Sequence, residues 1–292
     1  INNDLFVPSE TQREGICGAE KWACGLIEGD GHIGIEWSNQ AKTKWVPLLK
    51  VSMNVYNARA IYKLKQILKC GKITYSPSLN KTVITLRVRN KDHWRKFLLP
   101  LWERFTLRSG HYFDVQCVAY ALKVSEKPIS HLCKQKIIDH LKLQLKQNQH
   151  ALPSPIWGLR APSLDFSTYD NRRLNMILDL DWLAGFVEAD GSFYILRNGQ
   201  HGFALGQAYH THMVAAIHAY YGVTAALKCR PKYVLLDTKK HCTLQQIAQS
   251  MNKRLLGMKS FQLALWTRTL NKQKKSKSLK ARQIIGRMKQ KR

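Results

Sequence analysis

Acidic side chains are scarce in this chain: 19 Asp and Glu stand against 47 Lys and Arg, a formal net charge of +28 over 292 residues. That imbalance exceeds what solubility requires and implies a polyanionic partner, with nucleic acid first and an anionic membrane surface second. Long apolar runs are also missing. No stretch approaches the roughly 18 residues of a spanning helix, which excludes insertion into a membrane. No segment pairs a basic face with a Trp, Phe and Leu face, which argues against a helix lying on one. C-x-x-C pairs are absent, and the seven cysteines (Cys17, Cys24, Cys70, Cys117, Cys133, Cys229 and Cys242) are odd in number. Their mostly apolar surroundings predict buried free thiols in a reducing compartment, against a disulfide framework or a zinc site. No signal peptide is visible. Acids are missing altogether from the last 25 residues, 268–292, which carry eleven Lys and Arg. Such a run reads as a solvated tail or as a phosphate-contacting extension.

What is present is apolar and repeated. Apolar residues make up 45% of the chain and Trp occurs eight times, enough for a folded protein. The length allows one large core or two of about 100 to 130 residues. The segment "WLAGFVEADGSFYI" at 182–195 has a near-copy, "WACGLIEGDGHIGI", at 22–35. Each copy is followed by a second strand-like stretch, a helical pattern, two more strands and further helices. A duplication of this length predicts two similar domains, 15–124 and 179–268. Between them, 125–178 reads as an amphipathic helix followed by an irregular, proline-containing linker, and 269–292 as a basic tail.

Read as a helix, each copy places small residues on one face: Ala23 and Gly25 in the first, Ala184 and Gly185 in the second. Small residues let two helix backbones approach closely. If the copies pack on each other, Asp30 and Asp190 meet at the ends of the helix pair. Gly31 and Gly191 follow as expected left-handed stops. A carboxylate at a helix C-terminus opposes the dipole, and two side by side oppose each other. A bound divalent cation removes that conflict.

The two segments resemble the LAGLIDADG motif of homing endonucleases and related intron maturases, in its two-motif, single-chain form. "WLAGFVEADG" is the close match; "WACGLIEGDG" is looser, with Cys24 where the motif usually has Ala. The resemblance covers roughly 15–124 and 178–268. It implies an α+β fold of two pseudo-symmetric αββαββα domains, a monomer with an internal pseudo-dimer, whose antiparallel sheets form a saddle for nucleic acid. It further implies that Asp30 and Asp190 bind Mg²⁺ near the scissile phosphates, with Glu28 and Glu188 as structural groups of the helix interface. A basic residue in each half, aligned as Arg108 and Lys259 by their following serines, is expected near the cut phosphates. A polar residue ending each second strand, Asn54 or Gln207, is expected to order waters. The implied activity is site-specific, metal-dependent cleavage of both strands of duplex DNA, of intron-homing type, in a mitochondrion or chloroplast.

The strands of the first half alternate. Lys50 and Ser52, Lys72, and Thr85, Arg87 and Arg89 interleave with apolar residues, which predicts a basic outward face. Arg and Lys on such a face favour guanine. The second half offers fewer donors, Arg197, Lys228, Arg230 and Lys232, and the tail adds Lys274 and Lys275. The large basic excess also fits a non-catalytic, RNA-binding descendant of the fold, an organellar ribosomal protein or a group I intron maturase bound to structured RNA.

Overall fold

The computed structural model describes residues 10–76, 82–148, 153–158, 165–166, 169–231, 233–271 and 275–290. Two helices cross at its centre, α1 (Glu10–Asp30) and α8 (Leu180–Asp190). In α8, Asp179 caps the N-terminus by accepting from the Asp181 and Trp182 amides, and Lys21 of α1 holds the same carboxylate at 2.9 Å. The crossing depends on two glycines. A Cβ on Gly25 would stand 1.9 Å from the Trp182 carbonyl oxygen, and one on Gly185 would stand 1.9 Å from that of Trp22. Backbone therefore lies directly on backbone, and Trp22, Leu26, Trp182 and Phe186 close the sides of the seam, all fully buried.

Each crossing helix runs straight into a strand at Gly31 or Gly191. These glycines are not the left-handed stops expected from sequence: Gly191 is extended at φ −73°, and Gly31 has no positive φ either. Glycine is needed there because a Cβ on Gly31 would lie 2.2 Å from the Ile27 carbonyl oxygen, and one on Gly191 2.7 Å from that of Val187.

In the first half, β1 (Gly31–Trp37), β2 (Trp45–Asn54), β3 (Lys72–Tyr75) and β4 (Val83–Val88) form one antiparallel sheet ordered β1-β2-β4-β3. In the second, β5 (Gly191–Ile195), β6 (His201–Ala208), β7 (Lys228–Arg230) and β8 (Tyr233–Thr238) repeat it as β5-β6-β8-β7. Alternation fixes which face is buried. Ile33, Leu49, Val51 and Leu86 turn inward in one sheet, and Phe193, Phe203, Leu205 and Leu236 in the other. Helices α2 (Ala58–Leu68) and α9 (Thr211–Tyr220) pack on those inner faces. A helical stretch over 91–104 holds α3 (Lys91–His93), a π-turn and α4 (Leu99–Arg104), matched in the second half by α10 (His241–Met251). Helices α5 (His111–Glu126) and α11 (Lys259–Leu270) follow. This is the two-sheet α+β architecture expected.

The duplication extends one helix further than its motifs indicate. Helix α6 (His131–Asn148) packs on α5 and β1, and α12 (Lys275–Gln290) packs on α11 and β5 in the same way. The basic tail thus contains a docked helix that buries Ala281 and Ile285. The proline-containing segment is also part of the interior. Trp157 is fully buried and donates through Nε1 to the Arg108 carbonyl at 2.6 Å, and α7 (Asn171–Ile177) buries Leu174 and Ile177. The cysteines divide differently from expectation: Cys24 and Cys70 are buried, but Cys133, Cys229 and Cys242 are exposed on polar surface.

Gly25→Ala is expected to destabilise the protein by more than about 3 kcal/mol, because neither backbone can move aside without parting the halves. Gly286→Ala, on α12 with nothing within 4 Å of its new methyl, should instead be neutral or stabilising by up to about 1 kcal/mol. Thermal melts of the two variants separate these outcomes. Ile285→Asp should unseat α12 and expose it to limited proteolysis while the crossing helices remain protected.

Candidate active site

Asp30 and Asp190 are the last residues of α1 and α8, so the crossing that joins the halves also brings these carboxylates together. Asp190 reaches across the seam: a Cβ on Gly29 would lie 2.9 Å from its Oδ2. Burial pushes the Asp30 carboxyl up to about 6, against the opposing pull of Lys259. Burial, with the Asp30 charge beside it, pushes Asp190 up to about 7, again opposed by Lys259. Both groups are thus held where loss of a proton is costly unless a cation arrives.

Lys259 is a cation whose charge acts on both aspartates. It opens α11, lies almost buried, and donates through Nζ to the Val187 carbonyl at 3.0 Å and the Ala189 carbonyl at 2.8 Å. It thereby caps the last turn of α8 while its charge faces both aspartates. Gln207, on β6, donates through Nε2 to Asp190 Oδ2 at 3.2 Å. Lys259, Gln207 and the two aspartates form one constellation.

Two expected residues stand elsewhere. Arg108 is buried. Its Nε donates to the Ile177 carbonyl and its guanidinium lies 4.5 Å over the Trp182 ring, so it braces α7 against α8 away from the carboxylates. Asn54 uses its side chain to accept from the Tyr56 amide and cap the turn after β2. Neither is the counterpart that sequence alignment suggests. Gly31 pairs with Val51 and Gly191 with Leu205, so the position matching Gln207 is Met53. His111 opens α5 as Lys259 opens α11, so the position matching Lys259 is His111. His111 Nδ1 lies 2.7 Å from Asp114 Oδ2. The serine-based alignment was displaced by three residues, and helix starts were the signal that would have corrected it.

Glu28 and Glu188 pin those helix starts. Glu28 accepts the Arg108 and Ser109 amides on Oε1 and the Trp182 indole on Oε2 at 2.6 Å, tying three elements together. Glu188 accepts the Gly257 amide at 2.9 Å and the Lys259 amide at 3.3 Å, and burial raises its pKa. The interface is not symmetric at this level: Trp22, the mate of Trp182, has no partner for its Nε1 among the described residues.

The outward face of the first sheet carries His32, Lys50, Arg87 and Lys72 directly opposite one another across four strands. Like charges in register repel, so this row is unfavourable until an anion covers it. Ser52 and Thr85 bond each other at 3.0 Å in the next row, and Arg89 is paired with Glu36 at 3.3 Å. On the second sheet Arg230 and Arg197 are exposed and Lys228 is bonded to Asp237 at 2.6 Å. Lys232 and Lys274 lie outside the described residues, and Lys275 is the first residue of α12.

A divalent cation fits the aspartate pair chemically. Its donors are hard oxygens, and its charge would relieve the repulsion that holds Asp190 up. Among the described residues no three His, Cys, Asp or Glu form a closed cage. A cation held by two carboxylates keeps coordination positions for water or a phosphate oxygen, as magnesium commonly does.

Comparison with known proteins agrees with this geometry. The family model described as LAGLIDADG endonuclease matches residues 23–122. A probable intron-encoded endonuclease of Schizosaccharomyces pombe, Cox1-I1b, is 26% identical over 285 residues, covering 93% of this chain and 69% of the relative. Another, aI3 of Dictyostelium citrinum, is 33% identical over 82 residues, only 27% of this chain and 34% of that protein. Among solved structures, I-SmaMI bound to an uncleaved DNA target in the presence of calcium ions has a TM-score of 0.68 at 17% identity, covering 90% of this chain and 96% of that one. The homing endonuclease I-GzeII in complex with its DNA target has a TM-score of 0.66 at 14% identity, covering 92% and 96%. At these identities the structures establish the shared fold.

Because the folded carboxyls sit near 6 and 7 and an unfolded Asp near 3.8, the folded state binds more protons between those values. The pair's contribution to stability is therefore fully present at pH values below that of an unfolded Asp and is lost as pH rises to about 7 when no divalent cation is present. Asp30→Asn should raise the melting temperature by several degrees at pH 8 and by much less at pH 4.5. Added Mg²⁺ should raise the melting temperature of the unaltered protein and leave that of Asp30→Asn almost unmoved. An equal effect of the substitution at both pH values would show that Asp30 is not held in its neutral form.

Proposed function

We propose, from the premise that this chain belongs to the LAGLIDADG endonuclease family, that it is a site-specific DNA endonuclease of intron-homing type that uses Mg²⁺ to hydrolyse one phosphodiester in each strand. The observation that carries the reading is the half-buried aspartate pair, pushed up to about 6 and about 7 at the end of the helix seam, with Lys259 facing both. Such opposed carboxylates weaken the apo fold and are suited to holding a cation.

Asp30 and Asp190 would hold the cation, which when bound supplies charge neutralisation at the phosphate and a more acidic water. The protein supplies the rest. Lys259 keeps a positive charge beside the pair, positioned by two helix carbonyls and so unable to swing away. A cation fixed in a partly dry site stabilises the extra negative charge of a pentavalent phosphate at little reorganisation cost. Gln207 holds Asp190 by one oxygen, leaving the other for the metal. The row of Lys50, Arg87 and Lys72 supports a duplex laid across the sheets, and the setting we infer is an intron-bearing organelle.

The RNA-binding alternative rests on the large basic excess, part of which lies in the tail. Helix α12 is held by α11 and β5 through its own apolar residues, so its order requires no RNA.

Asp190→Asn and Asp30→Asn should each lower cleavage of a cognate duplex at least about a thousandfold, while affinity measured in Ca²⁺ stays within a few-fold. Lys259→Met should slow one strand more than the other, since its counterpart is His111, and should accumulate nicked duplex. Full activity in either Asn variant would remove the aspartates from the chemistry.

A further inference from the structure

The two sheets present faces of different chemistry where their topology is the same. The first offers His32, Lys50, Arg87 and Lys72 in one cross-strand row, with Arg87 and Lys72 exposed. At strand spacings near 4.8 Å that row spans roughly 15 Å, wide enough for several base pairs of a major groove. Its long side chains carry donors that discriminate base edges.

At matching register the second sheet has Ser192, Ala204 and Asp237. Two tyrosines cover this face. The Tyr194 ring lies on Gly202, where a Cβ would stand 2.2 Å from its Cζ, and Tyr233 lies on Gly206, where a Cβ would stand 2.0 Å from its hydroxyl. The face's acid is already engaged: Asp237 accepts from the Tyr194 hydroxyl and from Lys228 at 2.6 Å. Tyr233 remains 38% exposed. Among the described residues, a groove laid on this sheet meets the Tyr194 and Tyr233 rings over Gly202 and Gly206, beside Ser192 and an Asp237 that is already bonded.

We propose that recognition is divided unequally between the sheets. Lys50, Arg87 and Lys72 read a strict, guanine-containing half-site by hydrogen bonding. Tyr233, with the Tyr194 ring on the same face, reads a tolerant half-site by apolar contact with thymine methyl groups. The inference rests on the endonuclease reading and adds to it which half of the target is strict, and by which residues.

The test uses the full chain with Mg²⁺ on duplex libraries randomised across each half-site in turn, with affinities measured in parallel in Ca²⁺. One half-site should lose about 10- to 100-fold per altered base pair, as expected for lost bidentate contacts, and the other no more than about threefold. Lys50→Ala combined with Arg87→Ala should relax the strict half-site alone. Tyr233→Ala should abolish a thymine preference in the tolerant half-site, and Tyr233→Phe should retain it, because the ring and not the hydroxyl makes the contact. Equal stringency in both half-sites overturns the inference. So does a strict half-site indifferent to Lys50 and Arg87, or a Tyr233→Phe variant that behaves as Tyr233→Ala. A library in which no member is bound or cleaved overturns the endonuclease reading itself, and the inference with it.

Discussion

The contact of α1 backbone with α8 backbone at Gly25 and Gly185 sets the positions of everything else. It is a steric condition more than an attraction: no side chain intervenes, so the helix axes are as close as main-chain atoms allow. That closeness fixes three things together. It seals the indoles of Trp22 and Trp182 into the core, it directs both chains into their sheets, and it delivers Asp30 and Asp190 to one another at the helix ends. The site is therefore made by the same packing that makes the fold.

Electrostatics then work against that packing. Two half-buried carboxylates at opposed helix C-termini resist ionisation. Lys259 offsets part of this from the second half only, because the first half places His111 at the matching position. Glu28 and Glu188 lie two residues earlier and serve another purpose, since their oxygens are occupied by the amides leading into α5 and α11 and, for Glu28, by the Trp182 indole. The distinction between a carboxylate that holds a loop and one that awaits a cation comes from its partners, not from its residue type.

Much of this was legible in the sequence. The repeated segment predicted the helix pair, the aspartates at its end and two similar α+β halves. Alternation in 45–54 and 83–89 predicted a basic outward face on the first sheet. What could not be read was registration between the halves. Arg108 and Lys259 share a following serine, but helix starts govern which side chains face the seam, and they differ by three residues. Asn54 ends β2 but Gln207 is the next-to-last residue of β6, and one residue of offset turns a side chain to the other face of a sheet. The fate of 269–292 was also hidden, because Ala281 and Ile285 are too few to outweigh ten basic residues in a composition argument. Their role emerges only when α12 is set beside α6.

The small residues along the seam are complementary without being identical. Gly29 lies against Ala189, and a methyl on Gly29 would stand 2.3 Å from the Ala189 Cβ. Two second halves brought together would set alanine against alanine and collide, while two first halves would set glycine against glycine and leave a gap. The indoles repeat the mismatch, one bonded to Glu28 and the other without a partner among the described residues. The duplicated halves have therefore become obligate mates. Recombining either with a half from another such protein would require its seam to be re-cut at this position.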